Sequence, residues 1–319
     1  MKRFKKILCY VGGPADPSPG LNKAADLAER NGASLTLMDV LPESTEGPWL
    51  IVSGKPELEE MVVTSRIQEL EDIALNLRER APQVDIVVTT GNPFFELIRR
   101  VVSDNHDLVI KTAQGLESRL GGLLGTTALH LMRKCPAPVW VVKPPSAAPF
   151  NRVLAAVDPK PDLPGEDPLS IKVLQLAASL AEANSSELHV VHAWWLHSEA
   201  MLRGRRINMP PAEIDGLLRE VRQAAEQSLD ALVTRVDLGK VPHQIHIVKG
   251  QPYEVISGMA SKSDITVMGT LSRSGVDGLL IGNTAERILR RVECSVLAIK
   301  PEGFKTPLHF EEAAAAHQV

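Results

Sequence analysis

Cysteine is scarce. Cys9, Cys135 and Cys294 are the only three in 319 residues, and no C-x-x-C occurs. An odd number at long spacings makes no disulfide framework and fits a reducing compartment. Long apolar runs are missing too. None reaches the roughly 18 residues that cross a bilayer, so no membrane span is expected. Ile7 to Val11, behind a basic start, is too short for a signal peptide. The expected location is the cytoplasm. Neither sign of charge dominates, and a net charge of −4 exerts no bulk pull on nucleic acid or acidic membrane. Arg203, Arg205 and Arg206 form the clearest basic cluster. They read as a solvated loop, and no nucleic-acid partner is expected. A Walker A lysine pattern, a G-x-S-x-G elbow and a Cys–His arrangement are all absent, which removes the commonest phosphate-loop, hydrolase and thiol chemistries.

What remains is ordinary globular usage, 44% hydrophobic and 23% charged, in a chain long enough for two domains that each bury a core. The chain repeats itself. Phe4 to Leu8 returns as Phe150 to Leu154, and Gly91-Asn92-Pro93-Phe94 returns as Gly250-Gln251-Pro252-Tyr253. Asp107 to Pro144, shifted by 157 residues, lies on Asp264 to Pro301 without a gap. Gly121, Leu123, Gly125, Thr127 and Arg133 there meet Gly278, Leu280, Gly282, Thr284 and Arg290. The expected domains are 1–146 and 147–302, joined near a proline-rich linker, with a tail over 303–319.

Each copy alternates strand-length apolar runs with helical patterns. In copy one the strands are expected at Ile7 to Val11, Leu35 to Leu41, Ile86 to Thr89, Leu108 to Lys111 and Val139 to Val142. Asn31-Gly32 ends the first helix, Pro93 opens the third, and Leu123 to Arg133 is the fourth. Copy two repeats the strands at Val153 to Val157, Leu188 to Ala193, Ile245 to Val248, Ile265 to Met268 and Val296 to Ile299. The fold class is α/β: two tandem doubly wound five-stranded parallel sheets of order 3-2-1-4-5, Rossmann-like. Each copy leaves its apolar fifth strand as a bare edge. Pairing the two fifth strands as an intramolecular pseudo-dimer would cover both, and a further homodimer is a second expectation.

In such a sheet a ligand sits beyond the carboxyl ends of strands one and four. Strand one ends in Gly12-Gly13-Pro14 and in Asp158-Pro159; strand four ends in Thr112 and in Gly269-Thr270. Glycine-bearing loops then lead to helix starts at Gly125-Thr126-Thr127 and Gly282-Asn283-Thr284. Small residues and free amides at a helix start suit an anion such as phosphate. The alternative is that these glycines serve only the turn and helix packing.

At these residues the chain resembles the universal stress protein family, over about residues 1 to 302. Val267-Met268-Gly269-Thr270, Gly278 to Leu289, the close Cys294 to Pro301 and its counterpart Cys135-Pro136-Ala137-Pro138-Val139 carry the likeness. The tandem layout resembles the family's E-type members. The resemblance implies an adenine nucleotide alpha hydrolase-like fold, and in ATP-binding members a G-x2-G-x9-G-[ST] motif after strand four with an Asp ending strand one. Copy one keeps Gly115, Gly125 and Thr126, but has Thr112 for the first glycine and Gly12 for the Asp. Copy two keeps Asp158, Gly269 and Gly282, but has Ser272 and Asn283. If ATP binds, the resemblance places it in copy two: Asp158 near base and ribose, Ala193 and Met268 lining the base, Gly269 and Ser272 near ribose and phosphates, and Gly282 to Thr284 on the phosphates. Gly12, Val40, Thr112, Gly115, Gly125 and Thr126 would mark a vestigial site in copy one.

Two further features stand out. The loops after strand two, Pro48 to Val52 and Trp194-Trp195-Leu196 with Met201 and Met209, hold three of the four tryptophans. They form either a lid on their own core or on the neighbouring copy, or a pocket for an apolar or amphiphilic ligand. His189 and His192, like His243 and His246, are three apart on strands and face opposite ways, so no metal is expected. The sequence therefore reads as a non-catalytic stress-response protein that binds a ligand or partner, with no certain cofactor. Its rivals are a slow ATPase acting through copy two and a flavin- or adenine-nucleotide-binding electron carrier.

Overall fold

The structure, a computed structural model, describes residues 4–13, 15–41, 56–113, 124–144, 149–160, 162, 165–204, 206–270 and 281–310. Two compact units are present: Met1–Pro145 together with Gly303–Val319, and Ser146–Glu302. The first runs β1 (Lys6–Tyr10), α1 (Ser18–Asn31), β2 (Ser34–Leu41), α2 (Pro56–Leu77), β3 (Val84–Thr90), α3 (Pro93–Asp104), β4 (Leu108–Thr112), α4 (Thr126–Lys134) and β5 (Val139–Val142). The second runs β6 (Arg152–Ala156), α5 (Pro168–Asn184), β7 (Glu187–Trp194), α6 (Glu199–Arg203), α7 (Pro211–Arg235), β8 (His243–Lys249), α8 (Pro252–Ala260), β9 (Ile265–Gly269), α9 (Asn283–Leu289) and β10 (Ser295–Ile299).

Every strand pair within each unit is parallel. The order is β3-β2-β1-β4-β5 in the first unit and β10-β9-β6-β7-β8 in the second, the same order read from opposite ends. Continuous apolar strands fit this because both faces are covered. Ile7, Leu8, Leu35, Leu37, Leu108 and Ile110 have no exposed surface. Each such side chain contributes about 1.5–3 kcal/mol by leaving water. On the helical side α3 packs on α4, α5 on α7, and α8 on α9.

The repeat extends to polar detail. Asp107, one residue before β4, accepts the amides of Lys5 (2.6 Å) and Lys6 (3.1 Å). Asp264, one residue before β9, accepts those of Asn151 (2.7 Å) and Arg152 (2.8 Å). Each aspartate thus fastens the start of a unit's first strand to its fourth. Gly32 ends α1 with φ 60, as the Asn31-Gly32 pair predicts. Ser185 takes the same left-handed place after α5 with φ 53, without the freedom of glycine.

Two expectations need correction. Trp194 does not lie in a loop: β7 runs through it, paired with Lys249 of β8, and its side chain is buried. The register of β8 extends β7 by one residue, so the loop starts at Trp195. The fourth helix starts at Thr126, because Gly125 sits at φ 85 and ψ 156, outside any helical region. Leu123 itself lies outside the described residues. In the tail, Phe310 packs edge-on against Phe95 of the first unit, ring centroids 5.1 Å apart.

Candidate functional site

In the first unit the strand ends are filled by the protein's own groups. Thr112, the last residue of β4, accepts the Gly20 amide at 3.0 Å on its hydroxyl and donates to Pro17 O at 3.3 Å. A β-carbon on Gly20 would lie 2.9 Å from that hydroxyl oxygen, so the first turn of α1 rests directly on the end of β4. At Gly12 a β-carbon would fall inside the Asp39 carboxylate. Asp39, on β2, is buried; it accepts the Val40 amide at 2.7 Å and Arg66 Nε at 2.6 Å. Arg66 comes from α2 and also donates to Glu69 and Val11 O. A carboxylate–guanidinium pair from β2 and α2 therefore occupies the space that a strand-one aspartate would use. Val40 beside it is buried.

Lys111 is buried on β4, its Nζ 2.6 Å from Thr112 O. Burial pushes its pKa down to about 8. The 157-residue shift puts Met268 in its place in the second copy. Gly115, the second motif glycine of the first copy, lies outside the described residues, as do Ser272, Trp49 and Arg205.

In the second unit the register sets Ala156 of β6 opposite both Val191 of β7 and Met268 of β9. Asp158, Ala193 and Gly269 thus follow at the same carboxyl edge. Asp158 is exposed, 3.8 Å from Nδ1 of buried His192. Burial holds the His192 pKa below the usual imidazole value, with a smaller opposing pull from its bond to Val157 O. Ala193 and Met268 are buried. Over Gly269 lies Leu169, whose Cδ2 would stand 2.7 Å from a β-carbon there. Leu169 belongs to the first turn of α5, which Asp167 caps by accepting the Leu169 amide and the Ser170 hydroxyl. Gly282 has an ordinary φ of −71, and its amide is engaged by Thr270 O at 2.8 Å. Asn283 and Thr284 are exposed.

Asn283 and Thr284 form one wall of a cleft of about 750 Å³ in this unit. Trp195 and Leu196, at the start of the tryptophan-bearing loop, line it, as do Arg203, Lys249, Tyr253 and Arg287. Sequence reading missed Lys249, Tyr253 and Arg287. The repeat carried a signal for the last two, because Tyr253 aligns with Phe94 and Arg287 with His130.

The histidines also fall differently from a strand-by-strand reading. His189 of β7 and His246 of β8 meet with Nδ1 and Nε2 2.9 Å apart. Their rings are within 5° of parallel with centroids 5.0 Å apart, so they meet edge to edge through one N–H···N bond. Nε2 of His189 lies 3.1 Å from Glu187, whose carboxyl pKa is lowered first by His189. The parallel register brings these residues onto one face. Among the described residues no group of three His, Cys, Asp or Glu is placed to hold a metal, and no helix is long and apolar enough to cross a membrane.

A model of the universal stress protein family matches residues 3–143 and 149–300. The chain belongs to the universal stress protein family. Both family domains are present in tandem, and the full-length likeness is to E-type members. Universal stress protein E of Escherichia coli K12 is 28% identical over 98% of this chain and 99% of its own. A universal stress protein E homolog of Haemophilus influenzae is 27% identical over 94% of this chain and 98% of its own. Among solved structures, a functionally unknown Pseudomonas aeruginosa protein superposes with a TM-score of 0.68 at 22% identity, covering 94% of each chain. A universal stress protein from Archaeoglobus fulgidus superposes at 0.60 with 16% identity, covering 92% of this chain and 98% of its own. These structural likenesses establish the Rossmann-like family fold.

Proposed function

We propose that this universal stress protein is a non-catalytic, cytoplasmic stress-response protein that acts by binding a ligand or partner, and that its second copy is the ligand-bearing half. One contrast carries the reading. Among the described residues, Asp39, Arg66 and Thr112 stand at the first copy's strand ends, and a cleft lies beside Asn283 and Thr284 in the second. In this reading both nucleotide motifs are degenerate. Leu169 stands over Gly269 where a ribose or phosphate would pass, and the Gly282 amide is already bonded. Any ATP site would use Asp158, Ala193, Met268, Gly269, Ser272 and Gly282 to Thr284. The residues at Gly12, Val40, Thr112, Gly115, Gly125 and Thr126 are its vestige.

The test is native mass spectrometry of the freshly purified chain with and without millimolar Mg-ATP. The expected result is no bound nucleotide. One ATP per chain, abolished by Asp158→Ala, would overturn the degenerate-site reading and bring back a slow ATPase.

The two apolar fifth strands, β5 and β10, pair in this proposal as an intramolecular pseudo-dimer. Residues 1–146 and 147–302 expressed separately should then self-associate; monodisperse monomers of both halves would count against it. A homodimer of the whole chain would appear in the same native spectra as a doubled mass.

A further inference from the structure

The two copies act as each other's control at the cleft. In the first unit Phe94 stacks on His130, ring centroids 4.3 Å apart and planes at 18°. Burial, then Lys134 and Arg133, hold the His130 pKa below the usual imidazole value, so the ring is uncharged at neutral pH. In the second unit the corresponding pair is Tyr253 and Arg287, with the Arg287 guanidinium carbon 3.4 Å from the centre of the Tyr253 ring. The stack is kept with a guanidinium in place of the imidazole, so the cation that in the first unit is Lys134, 4.8 Å from the Phe94 ring centre, here enters the stack itself. Stacking through its face leaves the in-plane N–H donors of Arg287 free to meet an acceptor. Among the described residues Arg287 has no ion-pair partner.

The rest of the wall is nearly balanced. Lys249 and Arg203 share one carboxylate, Glu199, at 2.8 and 3.1 Å. Glu254 accepts the Tyr253 hydroxyl at 2.5 Å. Among the described lining residues, three cations thus face two carboxylates, which leaves room for one negative group. The remaining wall mixes the flat face of half-buried Trp195, with His197 5.4 Å away, and polar Gln251, Asn283 and Thr284. A volume of about 750 Å³ suits a small organic molecule.

We propose that this cleft binds a small organic anion with a flat aromatic body, its negative group on Arg287 and its ring against Trp195. This rests on the second copy being the ligand-bearing half, but not on any nucleotide. Carboxylate, sulfonate and phosphate ligands share the required chemistry.

The probe is 8-anilinonaphthalene-1-sulfonate, titrated calorimetrically into the full chain at pH 7.5, with N-phenyl-1-naphthylamine as its neutral counterpart. The sulfonate should bind one per chain and the neutral compound far more weakly. Arg287→Ala should weaken the sulfonate about tenfold to a hundredfold, the range of a lost charge-assisted hydrogen bond. Arg287→His, which installs the residue of the first copy, should lose as much, and Arg287→Lys should retain part. Thermal melts unchanged from wild type show that the variants fold. Failure of the sulfonate to bind, equal binding of the neutral compound, or unchanged affinity in Arg287→Ala would each overturn the proposal. Displacement of the sulfonate by Mg-ATP would instead overturn the degenerate-site reading, by making the cleft part of a nucleotide site. Absence of ATP binding leaves the proposal standing, so it and the degenerate-site reading fail separately.

Discussion

Gly12→Ala tests how the first copy closed its crevice. The added carbon falls inside the Asp39 carboxylate, so that carboxylate must leave. Asp39 is buried and bonded to Arg66 Nε at 2.6 Å, with Arg66 itself 25% exposed. Losing a hydrogen bond between charged groups costs about 1.5–3 kcal/mol, and a displaced carboxylate without full partners adds about 1 kcal/mol or more. A destabilisation of about 3 kcal/mol is expected. For a unit of this size that lowers Tm by about 6–12 °C. Asp39→Ala removes the same bond and clears the closest clash, leaving Tyr10 Cε2 2.9 Å from the new carbon. The double variant Gly12→Ala/Asp39→Ala should therefore cost less than the two single costs added together. Scanning calorimetry of the four proteins measures this non-additivity directly. A Gly12→Ala melt within about 1 °C of wild type, or costs that simply add, would refute the argument that Asp39 occupies the strand-one position.

Lys111 supplies a second prediction. Its buried charge holds its pKa near 8 against 10.5 in the unfolded chain, so folding is penalised below about pH 8 and the penalty fades as pH rises toward 10.5. Lys111→Met, the residue of the other copy, should stabilise the first unit by about 2 kcal/mol at pH 7. The gain should shrink above pH 8; urea midpoints against pH read both. His106 is buried, with Nε2 3.0 Å from Thr36 Oγ1, and burial lowers its pKa. The unfolded state then binds the extra proton, so this contribution to stability is present above about pH 6.5 and is lost as pH falls below it. His106→Gln should flatten that acid slope. All three cysteines are buried and none is in a disulfide, and burial pushes the Cys9 thiol up to about 12. A thiol reagent should therefore label none in the native protein and three in urea.

Much of the fold was legible because the repeat supplied two readings of each element. Where Gly91-Asn92-Pro93-Phe94 and Gly250-Gln251-Pro252-Tyr253 agree, both units start a helix at the proline. The five apolar runs per copy became five strands within one or two residues. Asp107 and Asp264, seen first only as the edge of an alignment, became the clasp between first and fourth strands.

The candidate site was less legible. The sequence by itself let Gly12, Thr112, Ser272 and Asn283 be read, through the resemblance, as departures from the family's nucleotide motif, since that needs only position and residue type. It also determined the tandem parallel sheets, because hydrophobic period and punctuation are local. Only the tertiary structure decided what stands beside Gly12 and over Gly269. Asp39 lies 27 residues from Gly12, and Leu169 lies 100 residues from Gly269. Side-chain volume is exchanged between such positions with no trace in local pattern. The same holds for His189 and His246, and for Arg287 on Tyr253. Which residues share a face depends on register and crossover, and those follow from packing the whole unit around one core.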